Sequence, residues 1–448
     1  MPTPSEIQTC INNLTTSSQA IDFTLLAAET SNSGTGISFS VPTVNDLPDL
    51  ETTNVGSGQI VFVESIGVPV VSTENEWKGL DGRLLRRDFM INAIFSWGSN
   101  DCGRLGDGTI TNRCSPVREF CYAKDWCQVN AGSYNTAAIK TSGQLWTWGR
   151  NICGQLGDGT INDKCSPVRE FCSATDWCQV SAGNSQTAAV KTSGQLWVWG
   201  YNRCGALGDG TTVSKCSPVR EICSATDWCG VSVGSLRATA IKTSGQLWVW
   251  GLNSSGQLGD GTTVSKCSPV REFCSGTDWS NITNSSAIKT SGQLWVWGFN
   301  VGGHAGDGTT VDKCSPVREF CSATDWCQVS RGSGNTSAIK TNGQLWSWGF
   351  NNGGWLGDGT TTNRCSPVRE ICSATNWCQV SREIIGTSHA AALKTSGELW
   401  AWGSNGGRLG DGTTTDRCSP VREFCSATDW CQVTVGSCCY TAAIRVMS

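Results

Sequence analysis

The residues most able to do chemistry in this sequence are its cysteines, because they recur in register. The hexapeptide CSPVRE occurs seven times, beginning at Cys114, Cys165, Cys216, Cys267, Cys314, Cys365 and Cys418. A further cysteine follows each seven residues on, at Cys121, Cys172, Cys223, Cys274, Cys321, Cys372 and Cys425. The first three repeats add an earlier and a later one: Cys102 and Cys127, Cys153 and Cys178, Cys204 and Cys229. Thiols at fixed spacing point to disulfides, to a metal, or to small apolar packing groups. Zinc is disfavoured, since no CxxC occurs and most repeats lack four ligands. The simplest disulfide pairing joins the two constant cysteine types, and joins the two variable types where both exist. Seven steps of extended chain cover about 23 Å, whereas bridged Cα atoms lie within about 7 Å. A straight CSPVREF segment therefore requires a bond between neighbouring units, and a bend at Pro116 or Arg118 allows a local one. Unbridged thiols used as packing groups are the third reading.

Other chemistry is thin. The two histidines, His304 and His389, stand in different repeats at non-equivalent positions and read as loop substitutions. The repeated Gly-Asp-Gly offers one carboxylate per loop, too few for an EF-hand type of calcium site, so turn roles are expected. Paired tryptophans such as Trp146 and Trp148 fall on one strand face and read as packing. Neither catalysis nor a cofactor is expected. Departures from the repeat mark the candidate partner surface: Trp355, at a position that Gln, Arg or Ala holds in other repeats, and an insertion carrying Arg382, Glu383, Ile384 and Ile385. A further departure is a deletion of four residues between Trp279 and Lys289.

The elements that position these residues follow from the period. Trp-Gly falls at Trp97, Trp148, Trp199, Trp250, Trp297, Trp348 and Trp402, at steps of 51, 51, 51, 47, 51 and 54 residues. Each unit reads SPVREF, DWCQVSAG, TAAIK-TSGQ-LWTWG, then a glycine-rich loop: four short strand candidates with a tight turn at Ser-Gly. The array begins inside a unit at Met90–Gly98 and stops inside one at Tyr440–Val446. Pairing those fragments closes a ring, where a solenoid needs caps. The expectation is an all-β, seven-bladed β-propeller closed by N- and C-terminal strands over residues 89–448, preceded by a small α+β segment at residues 1–88.

The repeat resembles the regulator of chromosome condensation family, on WGxNxxGQLGDGT at Trp148–Thr160, the strand carrying Pro167-Val168, and the run Val180–Gly200. The resemblance implies a seven-bladed propeller and functions ranging over guanine-nucleotide exchange, ultraviolet sensing, enzyme inhibition and general binding, so it does not by itself assign one.

Residues 1–88 carry 11 acidic and 4 basic side chains, the remainder 26 and 29. Neither part has a basic run, which argues against nucleic acid, and no apolar run is long enough to span a membrane. The start, MPTPSEIQTCINNLTTSS, does not read as a signal peptide. A helical stretch is expected between Ile7 and Leu26, then two strands around Ile66-Gly67. This segment is similar to N-terminal modules of phage tail-fibre proteins, on Asp46–Pro48, Val61–Val63 and Trp77–Gly79. That similarity implies a non-enzymatic virion appendage. Residues 1–88 would dock on other virion proteins, with homo-oligomers in the assembly. The propeller would face a host receptor or glycan, stiffened by disulfides after lysis. The alternative is a cellular or secreted propeller binding module such as an inhibitor or adhesin.

Overall fold

The structure is a computed structural model. It describes residues 91–447 apart from 333, 383–388 and 438 and, of residues 1–90, the backbone of five strands. The chain divides into two compact units, Met1–Met90 with Ser448, and Ile91–Met447. In the first, Ile37–Val41, Ile60–Val63, Val68–Ser72, Trp77–Gly79 and Leu84–Leu85 form one sheet in sequence order. Its first pair is parallel and the rest antiparallel. The two strands expected around Ile66-Gly67 pair from Ile60↔Val71 to Val63↔Val68. The helix expected between Ile7 and Leu26 lies outside the described residues.

The second unit is seven four-stranded antiparallel sheets, with no helix among the described residues. Blade 2 is typical: inner strand Trp177–Ala182, second Gln186–Lys191, third Leu196–Gly200, outer Lys215–Arg220. Blades 1 to 7 are numbered by the tryptophans that open their inner strands: Trp126, Trp177, Trp228, Trp279, Trp326, Trp377 and Trp430. Blade 7 is made from both ends of the array. Tyr440–Met447 pairs with Ile91–Gly98, from Tyr440↔Gly98 to Met447↔Ile91.

Packing explains why the period is so strict. The second strands carry small residues, as in Gln-Thr-Ala-Ala-Val-Lys, and are buried but for the terminal lysine. Small side chains let adjacent blades approach, and the tryptophans fill the wedge between them. Trp148 is fully buried and lies 6.1 Å from Trp126 in its own blade. Its Nε1 donates to the carbonyl of Arg104 (3.0 Å), a residue of the preceding loop. A second staple uses the glutamate of CSPVRE. Glu170 is buried and accepts from the Ala174 amide (2.7 Å) and from Nε1 of Trp177 (3.2 Å), tying the end of one outer strand to the next inner strand. Hydrogen bonds to a charged group contribute about 1.5–3 kcal/mol, and this one recurs around the ring.

The Gly-Asp-Gly loop holds itself. Asp107 accepts from the Thr109 amide (3.0 Å), the Thr109 hydroxyl (2.7 Å) and Asn100 Nδ2 (3.1 Å), and pairs with Arg113 at 2.9 Å. The carboxylate is used in the turn, as expected.

The cysteine expectation is corrected. The described cysteines, including every candidate from Cys102 to Cys425, are unbridged. The local pairing fails because CSPVR is a continuous strand, as at Lys164–Arg169. Cys165 and Cys172 are therefore held at opposite ends of an extended segment, far beyond bridging range. The cysteines of the outer strand, of the turn after it and of the inner strand are mostly exposed. Burial pushes the Cys121, Cys127 and Cys172 thiols up from their ordinary values, which keeps them protonated and slow to react.

Candidate functional site

Antiparallel order places four chain ends together at one mouth of the propeller: the inner strand's finish, the second strand's start, the third strand's finish, and the loop leaving it. Within this mouth the repeat stops being uniform. The inner strand ends in Ala131, Ala182, Val233, Arg331, Arg382 or Val435. The second strand begins with Asn135, Gln186, Arg237, Asn335, His389 or Tyr440. The loop residue whose carbonyl holds the next tryptophan is Arg104, Gln155, Ala206, Gln257, His304 or Trp355.

Blade 4 is where the deletion tells. Its inner and second strands are shortened to Trp279–Ile282 and Ser286–Lys289. Elsewhere the residue after the third strand bonds back to the hairpin, as Tyr201 does to Ser185 (2.8 Å). The shortened hairpin does not reach that far, and Arg331 of blade 5 takes its place. Its guanidinium donates to the carbonyls of Ser285 (2.5 Å), Trp297 and Phe299 (2.9 Å). One long polar side chain thus caps carbonyls that would otherwise be orphaned.

Arg382 behaves similarly. It is 2% exposed, and its Nε donates to Ser337 Oγ (2.6 Å), its Nη2 to Ser347 Oγ (3.0 Å) and its Nη1 to the carbonyl of Trp355. Ser337 and Ser347 replace alanine, threonine or valine of other blades to receive it. The structure therefore brings Trp355 and Arg382 together, but places Arg382 inside the wall, so it is not a surface residue. Trp355 is half-buried and donates to Ser404 Oγ (2.9 Å). Glu383, Ile384 and Ile385 lie outside the described residues.

Of the two histidines, His304 lies in a loop as expected, and the loop reading of His389 is corrected. His389 opens a second strand, fully buried, with Nε2 3.1 Å from Thr441 Oγ1. Burial, then the neighbouring Arg408 and Arg382, hold its pKa well below the usual histidine value. His304 is 1% exposed, and burial, then Arg331, lower its pKa to about 3. Both rings are neutral at pH 7, a consequence of low dielectric and adjacent cations.

Charge at the mouth is one-sided. Arg104 and Arg150 stand over the two sides of Tyr134, at 5.0 and 4.9 Å from its centroid. Arg203, Arg237, Arg331 and Arg408 add to these, while Asp101 lies 3.3 Å from Arg104 and Asp312 acts on Arg331. Exposed Ile152, Phe299 and Val301 sit between them. Sequence reasoning missed Arg237 and Arg331. The signal was available: a guanidinium stands in a column that other repeats fill with asparagine or glutamine in one case, and with alanine or valine in the other.

Comparison with known proteins places this arrangement. The chain is 29% identical over 333 residues to the ultraviolet-B receptor UVR8 of Arabidopsis thaliana, covering 73% of this chain and 64% of that protein. It is 32% identical over 180 residues to the human E3 ubiquitin-protein ligase HERC2, covering 38% of this chain and 4% of the ligase. It thus spans less than two thirds of either relative. Among solved structures, Prp20p of Saccharomyces cerevisiae superposes with a TM-score of 0.70 at 19% identity, covering 80% of this chain and 92% of that one. Human WBSCR16 gives 0.68 at 18%, covering 79% and 99%. These matches overturn the virion location expected from the N-terminal resemblance: the relatives are a plant receptor and a human ligase, proteins of cells. The profile described as the RCC1-like domain matches residues 93–442, which spans all seven blades, and the chain belongs to that family.

Proposed function

We propose that this chain is a non-enzymatic binding module whose propeller takes an acidic segment of a protein partner at its arginine-rich mouth. The observation that carries this reading is the distribution of departures: within a nearly interchangeable array, Arg104, Arg150, Arg203, Arg237, Arg331 and Arg408 gather at one end, with Asp101 near Arg104 and Asp312 near Arg331. Complementary potential steers encounter and selects partners, and exposed Ile152, Phe299 and Val301 supply apolar contact beside it. A propeller of the same fold, Prp20p, has been described by its binding to Gsp1p and histones, which supports a protein as the class of partner. The non-enzymatic reading rests on the two histidines, which are buried in separate blades and held neutral.

The test is fluorescence anisotropy with a labelled glutamate-rich peptide and its lysine-rich counterpart. The acidic peptide binds, more weakly at high salt, and Arg150→Glu with Arg203→Glu weakens it about tenfold or more. Equal binding of both peptides, or indifference to the double reversal, would sink the proposal.

A further inference from the structure

The shortened blade 4 leaves a set of polar groups with nothing to bind. Arg237 opens the second strand of blade 3, half-buried, and its guanidinium has no hydrogen-bond or ion-pair partner among the described residues. In a full-length neighbour, the residue that would face it comes from the hairpin that blade 4 lacks. Across this space stand His304 and Asn335. His304 shares the Phe299 carbonyl with Arg331, and its Nδ1 is buried without a hydrogen-bond partner among the described residues. Asn335, fully buried, has neither its amide nitrogen nor its oxygen bonded among the described residues. The two are neighbours, since Thr336 Oγ1 donates to the His304 carbonyl at 2.8 Å. Asn284 closes the floor beside Gly234, and its Oδ1 is also unpartnered. Arg331 adds a second positive charge, whose protonation burial and then Arg237 disfavour and Asp312 favours.

Arg237 without an acid and the Asn335 amide without an acceptor, among the described residues, form an arrangement that lacks an anion, while Arg331 has Asp312 near it. We propose that this gap is a carboxylate site, in which an aspartate or glutamate side chain of the acidic partner segment is received by the Arg237 fork and the Asn335 amide, beside the His304 ring. The proposal rests on the reading of the mouth as a partner-binding surface and adds where the anchoring side chain goes. Arg331 is a positioning residue, because its donors are committed to the carbonyls of Ser285, Trp297 and Phe299. A phosphate group offers related chemistry, but the donors are one arginine fork and one amide, which suits two oxygens better than three.

Two measurements separate this site from the broader reading. In the first, the His304 ring is followed by NMR in the full chain while succinate or inorganic phosphate is added. A seated carboxylate raises the pH at which the ring titrates by about one unit or more, and Arg237→Gln abolishes the rise. Phosphate producing the larger rise overturns the carboxylate assignment, and no rise with either overturns the site. In the second, the glutamate-rich peptide is titrated against Arg237→Gln and Asn335→Leu, with Lys124→Gln at the opposite end as control. Each site variant weakens binding about tenfold, and the control stays within about twofold. Wild-type binding that survives both site variants removes the site and leaves the mouth reading standing. A succinate response without peptide binding does the reverse.

Discussion

At the scale of single residues, the physics of this protein is that of enclosed cations and rings. His304 and His389 are held neutral by burial and by arginines, and this has a consequence for stability with a definite sign. An unfolded histidine takes up a proton as pH falls through about 6.5. Folded His304 does not do so until about 3. Between those values the unfolded state binds more protons, so stability falls as pH falls, at about 1.4 kcal/mol per pH unit for each such histidine. The Gly-Asp-Gly carboxylates act lower. For Asp107, Asp307, Asp358 and Asp411 burial raises the pKa, but hydrogen bonds from threonine and from arginine, lysine or asparagine outweigh it, and the net value lies below 3.8. Their contribution is present above that value and is lost as pH drops through the lowered one. Urea unfolding of the wild type and of His304→Gln at pH 7, 6, 5 and 4.5 checks the first effect: the variant should lose less stability across this range. Parallel curves would mean that the His304 ring is solvated.

At the scale of elements, the seams between blades are unequal. The inner strand presents amides toward its neighbour, and the preceding blade caps them with a glutamine. Val129 is capped by Gln432 (2.9 Å), Val180 by Gln128 (3.0 Å), Val231 by Gln179 (3.0 Å), Val380 by Gln328 (2.8 Å) and Val433 by Gln379 (2.9 Å). The chain of caps stops on either side of blade 4. Gly230 has no side chain to offer Ile282, and Asn281 is shorter than the glutamine it replaces, so Val329 is uncapped among the described residues. Each cap contributes about 1 kcal/mol net. The Ile282 and Val329 amides should therefore exchange with solvent about fivefold or more faster than those of Val180 and Val380 in native-state hydrogen exchange. Uniform protection around the ring would show that blade 4 is compensated in full by Arg331.

At the scale of the whole molecule, the ring depends on one closure. Tyr440–Met447 contributes eight register pairs to Ile91–Gly98, and Tyr440 reaches across to blade 1, donating from its hydroxyl to the Asn135 carbonyl (2.7 Å). Deleting residues 440–448 removes the strand between the inner strand of blade 7 and its third strand, exposing two sheet edges at once. The truncated protein should unfold at a clearly lower temperature and over a broader range in calorimetry. Heat resistance equal to the full chain would show that ring closure contributes nothing.

The repeat spacing, the strand quartet and the closure were legible along the chain. They depend on local patterning: alternation, tight-turn glycines, and an incomplete unit at each end that matches the other. The turn role of Asp107 was legible for the same reason, because an aspartate beside glycines bonds within its own loop. Other outcomes were decided by the tertiary structure. Arg382 sits in an insertion and read as surface, yet it is drawn inward by Ser337 and Ser347, which lie 45 and 35 residues away in the chain. Arg331 became a cap because a deletion 46 residues earlier left carbonyls within its reach. The local pairing of the thiols fails because a straight strand runs between the two positions, which spacing alone cannot orient. Sequence determines which residues occupy a column of the repeat, but burial and charge balance at the mouth arise where the ends of several blades converge, and that convergence exists only in the closed ring.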